Sequence, residues 1–133
     1  MKTIVTGASG WLGTALCAAL AHQPGETVGL VRSDDEGRAL TAVAPGVRSV
    51  VGDVRDPVAI EGLLEDAEGA VIIHAASVIH PTSGTREFFD VNVGGTELVL
   101  DRARRAGVKR VVYVSSNSPF GFNPSPDHRF DEG

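Results

Sequence analysis

The run Thr6-Gly7-Ala8-Ser9-Gly10-Trp11-Leu12-Gly13 carries the most specific chemistry in this sequence. A short β-branched run precedes it and an Ala/Leu-rich run follows, so the glycines fall where a strand turns into a helix. In that context Gly7 permits the tight turn and Gly10 lets backbone approach a pyrophosphate with no Cβ in the way. Gly13 lets the helix lie close on the strand. The first turn of a helix presents N–H groups that lack intrahelical partners, here near Ser9, Gly10, Trp11 and Leu12, and the helix dipole adds positive potential there. Residues of these types at this spacing suit the phosphates of a nucleotide.

A dinucleotide site needs a second group about 20 residues past the glycines, at the end of the following strand. An acid there takes the ribose hydroxyls, whereas an Arg takes the extra phosphate of NADP. Here Arg32-Ser33 follows Leu30-Val31, with Asp34-Asp35 next. Arg32, assisted by Ser33, suits a 2′-phosphate and points to NADP(H) ahead of NAD(H). In the competing reading Asp34 reaches the ribose and Arg32 stacks on adenine. Asp53 can accept from an adenine amino group, or serve only as a turn residue leading a helix. His22, His74, His80 and His128 are too scattered among Cys and carboxylates for a metal site, so none is expected.

Short apolar runs alternate with longer helical patterns, which predicts βαβ units and a parallel sheet. Strands are expected at Thr3–Thr6, Thr27–Val31, Val47–Val51, Ala70–His74 and Arg110–Ser115. Their nearly continuous apolar character suits strands covered by helices on both faces. Helices are expected at Trp11–Ala21, Asp34–Val43, Pro57–Asp66 and Thr85–Ala106. Asp56 is the N-cap and Pro57 the first residue of the third; Gly107 closes the fourth. Phe88, Val91, Leu98 and Val99 give that fourth helix one apolar face, and Gly94-Gly95 allow close packing. From Asn117 to Pro126 the composition is that of a loop. The expected fold is α/β: a Rossmann-like doubly wound parallel sheet in three αβα layers, five strands in the order 3-2-1-4-5, as one domain over residues 1–133.

Composition bounds the partners. The net charge of −5 comes with no long Lys/Arg run, which argues against nucleic acid or an anionic membrane. The cluster Arg102, Arg104, Arg105, Lys109, Arg110 falls at a helix C-terminus, where cations suit the dipole. The single Cys17 excludes an internal disulfide and reads as a small buried hydrophobe in a reducing compartment. No signal peptide or membrane span is evident, so a soluble, cytoplasmic protein is expected.

Several further segments complete a pattern. The Gly-x-x-Gly-x-x-Gly spacing with its Thr-Gly lead-in resembles the short-chain dehydrogenase/reductase superfamily. Gly52-Asp53-Val54-Arg55-Asp56, His74-Ala75-Ala76-Ser77, Asn92-Val93-Gly94-Gly95-Thr96 and Val112-Tyr113-Val114-Ser115-Ser116 follow in order. So does Asn117 to Gly121, with Phe120-Gly121 where Tyr-Gly is common. Together they resemble its extended branch, the NAD(P)-dependent epimerase/dehydratase family, over nearly the whole chain.

The resemblance implies that Asp53 and Val54 meet the adenine and that His74, Ala75 and Ala76 pass behind the nicotinamide ribose. Asn92 and Ser115 would complete the cofactor site. Ser116 matches the Ser that bonds the substrate hydroxyl or carbonyl, with Ser115 second; a hydroxyl there can polarise a carbonyl as charge grows on it. The loop holding His80 and Thr82 would line the substrate pocket, and the Thr85–Ala106 helix would build a homodimer. The implied activity is hydride transfer at a carbinol or carbonyl carbon of a small-molecule substrate, in a reductase, epimerase or dehydratase.

One departure stands out. The family's proton-shuttling Tyr-x-x-x-Lys is missing: the only tyrosine is Tyr113, and Asn117 stands four residues on. The expectation is that these residues are the N-terminal part of a longer enzyme and are inactive alone. The alternative is a non-catalytic NADP(H)-sensing protein. A metabolite-binding module without a dinucleotide is the third reading.

Overall fold

The computed structural model describes residues 1–79 and 84–116, together with 125 and 127. The expected positions His80, Thr82, Asn117, Phe120 and Gly121 lie outside the described residues. Strand β1 spans Lys2–Thr6, β2 Glu26–Val31, β3 Arg48–Val51, β4 Val71–His74 and β5 Arg110–Tyr113. All neighbours pair in parallel, in the order β3-β2-β1-β4-β5. Helices α1 (Trp11–Leu20), α2 (Asp34–Val43) and α3 (Pro57–Leu63) connect the first four strands.

Alternation along the central strand divides the core into its two layers. Ile4 joins Val28, Ile60, Ile72 and Val99 on one face of the sheet, while its neighbour Val5 joins Cys17, Val31 and Leu40 on the other. Ile4, Val5, Cys17 and Ile72 are fully buried. Burial pushes the Cys17 thiol up to about 11, so it remains a neutral apolar side chain at physiological pH. Asp56 caps α3 as expected, accepting from Val58 N–H with Pro57 at the first turn, and Ser33, expected beside a phosphate, instead caps α2 by accepting from the Glu36 N–H. Gly107, at φ +72°, ends the last helix in the left-handed conformation expected of a C′ glycine.

Most boundaries agree to within a residue, but α3 ends early at Leu63 and β5 at Tyr113. The fourth helix differs in kind. It runs as α4 (Thr85–Phe88), a π-helical stretch Phe89–Gly95, and α5 (Thr96–Arg105). Its buried positions are Val91, Gly95, Val99 and Ala103, a four-residue repeat. A plain α-helix would turn such a row away from the sheet by about 40° per turn. The wider π turn offsets part of that drift and keeps the row facing inward. Gly95 is needed within it, because a Cβ there would stand 2.8 Å from Val54 Cγ2.

Ile72 pairs with Ile4 and Val111 in the middle of the sheet and has no exposed surface. Ile72→Ala should therefore cost about 2–5 kcal/mol of unfolding free energy, read from urea melts. An effect below about 1 kcal/mol would contradict this placement of the core.

Candidate functional site

The C-terminal ends of four parallel strands open on one cleft. It is lined by Gly7 and Gly10 after β1, Leu30 and Arg32 at β2, Gly52 to Arg55 after β3, and Ala75 to Val78 after β4. Ser9, Glu36, Glu87 and Val91 complete the wall. Parallel α/β sheets bind ligands there, where strand order reverses and no side-chain layer closes the top.

Backbone contact shapes its floor. Gly7 adopts φ +67°, and a Cβ on it would lie 2.8 Å from backbone atoms of Ala75 and Ala76. A Cβ on Gly13 would fall 1.9 Å from the Gly7 carbonyl oxygen. The turn is closed by Gly10 N–H to Gly7 O at 3.1 Å and Ala8 N–H to Leu30 O at 3.2 Å. Helix α1 begins at Trp11 behind Gly10, with no side chain capping its first turn. The exposed N–H end of a ten-residue helix, beside a glycine that leaves the approach open, fits a phosphate.

Behind the cleft a polar chain fixes the β4 exit. Thr96 Oγ1 donates its one proton to the Asn92 carbonyl at 2.7 Å, so it accepts from His74 Nε2–H at 2.9 Å. His74 Nδ1 therefore accepts from Thr6 Oγ1 at 2.7 Å, while Thr6 Oγ1 accepts from the Ala76 N–H at 3.2 Å. Each hydroxyl in the chain donates once and accepts once, and His74 is held neutral with its proton on Nε2. Burial lowers its pKa further from ordinary imidazole values. The Asn92 side chain grips the next stretch: Oδ1 accepts from Val78 N–H at 2.8 Å and Nδ2 donates to Val78 O at 3.0 Å.

The structure thus gathers Gly7, Ser9, Gly10, Arg32, Asp53, Val54, Ala75 and Ala76 around one cleft and places other expected residues elsewhere. The His74 side chain is buried, with both ring nitrogens used internally, so it supports the wall from behind. Asn92 likewise acts on Val78 and is not among the lining residues. Ser33 is the α2 cap. Gly13 lies under the turn, and Trp11 projects outward at 91% exposed with Leu12 beside it. Ser115 and Ser116 follow β5 on the exposed surface. Among the described residues no group of three or more His, Cys, Asp or Glu is placed to share an ion. None of their helices is long and apolar enough to cross a membrane.

Sequence reasoning missed Glu36. Its Oε2 accepts from Ser9 Oγ at 2.8 Å and from Arg32 N–H at 2.8 Å, and its Oε1 meets Arg32 Nη2 at 3.2 Å. Burial alone would raise its pKa, but the bonds from the Arg32 backbone and Ser9, with the Arg32 charge, outweigh that and leave it below the ordinary carboxylate value. The available signal was spacing, since Glu36 follows Arg32 by one helical turn. Arg55 was also missed as a lining residue. Its bidentate bonds to Asp53, at 2.9 and 2.6 Å, hold the Asp53 carboxyl below its usual range, helped by the Asp53–Arg55 backbone bond against the opposing effect of burial.

The model of the NAD dependent epimerase/dehydratase family matches residues 3–132. Sterol demethylase protein B of Methylococcus capsulatus is 41% identical over 125 residues, covering 93% of this chain and 37% of that protein. Among solved structures, a short-chain dehydrogenase/reductase superfamily protein of Agrobacterium tumefaciens with bound NAD superposes with a TM-score of 0.71 at 30% identity. That match covers 87% of this chain and 33% of the other. A yeast methylglyoxal/isovaleraldehyde reductase complexed with NADPH shares the fold, with a TM-score of 0.76 at 23% identity over 87% of this chain and 37% of its own. The chain therefore spans well under half the length of these relatives.

A neutral buried His74 links stability to pH. Its folded pKa lies below the unfolded value of about 6.5, so between the two the unfolded chain binds more protons. Its contribution is complete above the unfolded pKa and falls as pH drops below it. Urea midpoints should decline from pH 7.5 to 5.5. The His74→Gln variant, less stable at neutral pH, should decline less over the same interval. Equal slopes would contradict the neutral relay.

Proposed function

Because the chain belongs to the NAD dependent epimerase/dehydratase family, we propose that its cleft binds a nicotinamide dinucleotide and that the whole protein transfers hydride at a carbinol or carbonyl carbon. The observation that carries this reading is the β1–α1 turn. Its glycines bring an uncapped helix N-terminus to the open end of a parallel sheet, beside Asp53 and the β4 exit.

In this reading the backbone N–H groups of Trp11 and Leu12, at the start of α1, receive the pyrophosphate. Asp53 and Val54 border the adenine, and Ala75 and Ala76 flank the nicotinamide ribose. The dinucleotide, once bound, supplies or accepts the hydride. Ser116, with Ser115 beside it, stands at the C-terminal side of β5, where a hydroxyl can bond a substrate oxygen as negative charge grows on it. The sequence contains no Tyr-x-x-x-Lys to move the proton. We propose accordingly that these residues bind the cofactor without completing the reaction, and that the whole enzyme is a cytoplasmic homodimer formed through the helix from Thr85 to Arg105. Whether it reduces, epimerises or dehydrates depends on substrate contacts made outside the cleft described above.

Isothermal titration of the chain with NADH and with NADPH tests the binding reading. Saturable binding of at least one is expected, together with no detectable reductase turnover. Gly10→Val, which sets a branched side chain against the phosphate path, should weaken that binding at least tenfold in a variant that a cooperative circular dichroism melt shows to be folded. Absence of saturable binding to either dinucleotide would refute the reading.

A further inference from the structure

The Arg32 side chain reads from sequence as a receptor for the 2′-phosphate of NADP, yet in the folded chain its position is already answered by an internal anion. Three donors converge on the Glu36 carboxylate: the Ser9 hydroxyl, the Arg32 backbone N–H and the Arg32 guanidinium. They come from the phosphate turn and from the end of β2, the two segments that flank the adenosine ribose of a dinucleotide bound at such a cleft. Donors of this kind in this place would suit a 2′-phosphate. Glu36 fills the position instead, and it does so from the cleft wall, with its side chain only 27% exposed.

We propose that Glu36 is the residue that sets dinucleotide preference, and that it selects NAD(H) over NADP(H). The inference rests on the dinucleotide reading given above and reverses the preference expected from Arg32 alone. Asp34 and Asp35, its neighbours in the first turn of α2, do not line the cleft, so the selection belongs to one side chain. A carboxylate held there accepts the ribose hydroxyls, as an acid at this position does in NAD-binding sheets of this topology. A 2′-phosphate would face the carboxylate at close range, and two like charges in one partly buried site are mutually unfavourable. To reach the Ser9 hydroxyl and the Arg32 N–H, the phosphate would have to displace the Glu36 carboxylate from them. The pKa of Glu36 lies below the ordinary carboxylate value, so the carboxylate remains charged near neutral pH. Arg32, tied to Glu36 one turn away, acts chiefly to orient that carboxylate.

The test is calorimetric titration of wild type, Glu36→Ala and Glu36→Gln with NAD and NADP at pH 7.5. Circular dichroism melts on each variant establish that it is folded. Wild type should bind NAD at least tenfold more tightly than NADP. Both variants should tighten NADP at least tenfold, by freeing Ser9 and Arg32 for the phosphate, and weaken NAD several-fold. The glutamine variant keeps an acceptor but no charge, so it separates repulsion from loss of shape. Wild type preferring NADP, or folded variants with an unchanged NAD/NADP ratio, would overturn the assignment of Glu36 while leaving the dinucleotide site intact. Binding of neither dinucleotide to wild type would remove the dinucleotide reading, and this inference with it.

Discussion

Everything in the cleft depends on three backbone segments touching with no side chain between them. The β1–α1 turn lies against the β4 exit at Gly7, and α1 lies against the same turn at Gly13, where a Cβ would sit 1.9 Å from a carbonyl oxygen. A methyl group at either place would push α1 off the sheet or close the floor. The helix N-terminus can point at a ligand only because nothing larger than hydrogen stands at these two crossings. The polar chain from Ala76 through Thr6, His74 and Thr96 to Asn92 then fixes the far side of the contact. Close approach sets where the two segments lie, and the hydrogen bonds set their orientation.

The charged residues follow a similar economy of placement. Within the cleft, Glu36 is matched by Arg32 and Asp53 by Arg55, so each acid is oriented by a base from its own segment. Exposed ion pairs of this kind contribute little to folding. Their consequence is local: they decide which lone pairs face a ligand and which are already engaged. The helix from Thr85 to Arg105 serves the same end at longer range, because its π-helical stretch carries both Asn92, which grips Val78, and Val91, which lines the cleft.

Much of the fold was legible in the sequence because the relevant signals are local. Continuous β-branched runs marked the strands, the Asp56-Pro57 cap marked the start of α3, and Gly107 marked the last helix end, whereas Ser33 was read as a phosphate ligand and proved to be the cap of α2. The strand order followed from βαβ alternation, and the observed sheet has that order. The π-helical stretch was not legible, since its cause is a four-residue burial repeat that depends on what the helix packs against. In the site, the glycine turn could be read because each glycine answers a steric need. The roles of His74 and Asn92 could not, because short polar side chains at strand and helix positions serve a ligand or a backbone equally well until their neighbours are known. Glu36 escaped notice for a related reason: it belongs to α2 in sequence, but its bonds go to the ends of β1 and β2.

The central claim is that a dinucleotide lies across the strand ends with its phosphates on the β1–α1 turn. Amide chemical-shift mapping of the isotopically labelled chain during titration with NAD tests it most directly. The account predicts that the largest shifts fall on Gly7, Gly10, Arg32, Asp53 and Ala76, with the open face of α3 unaffected. Shifts confined to other surfaces, or an unchanged spectrum at saturating NAD and NADP, would contradict it.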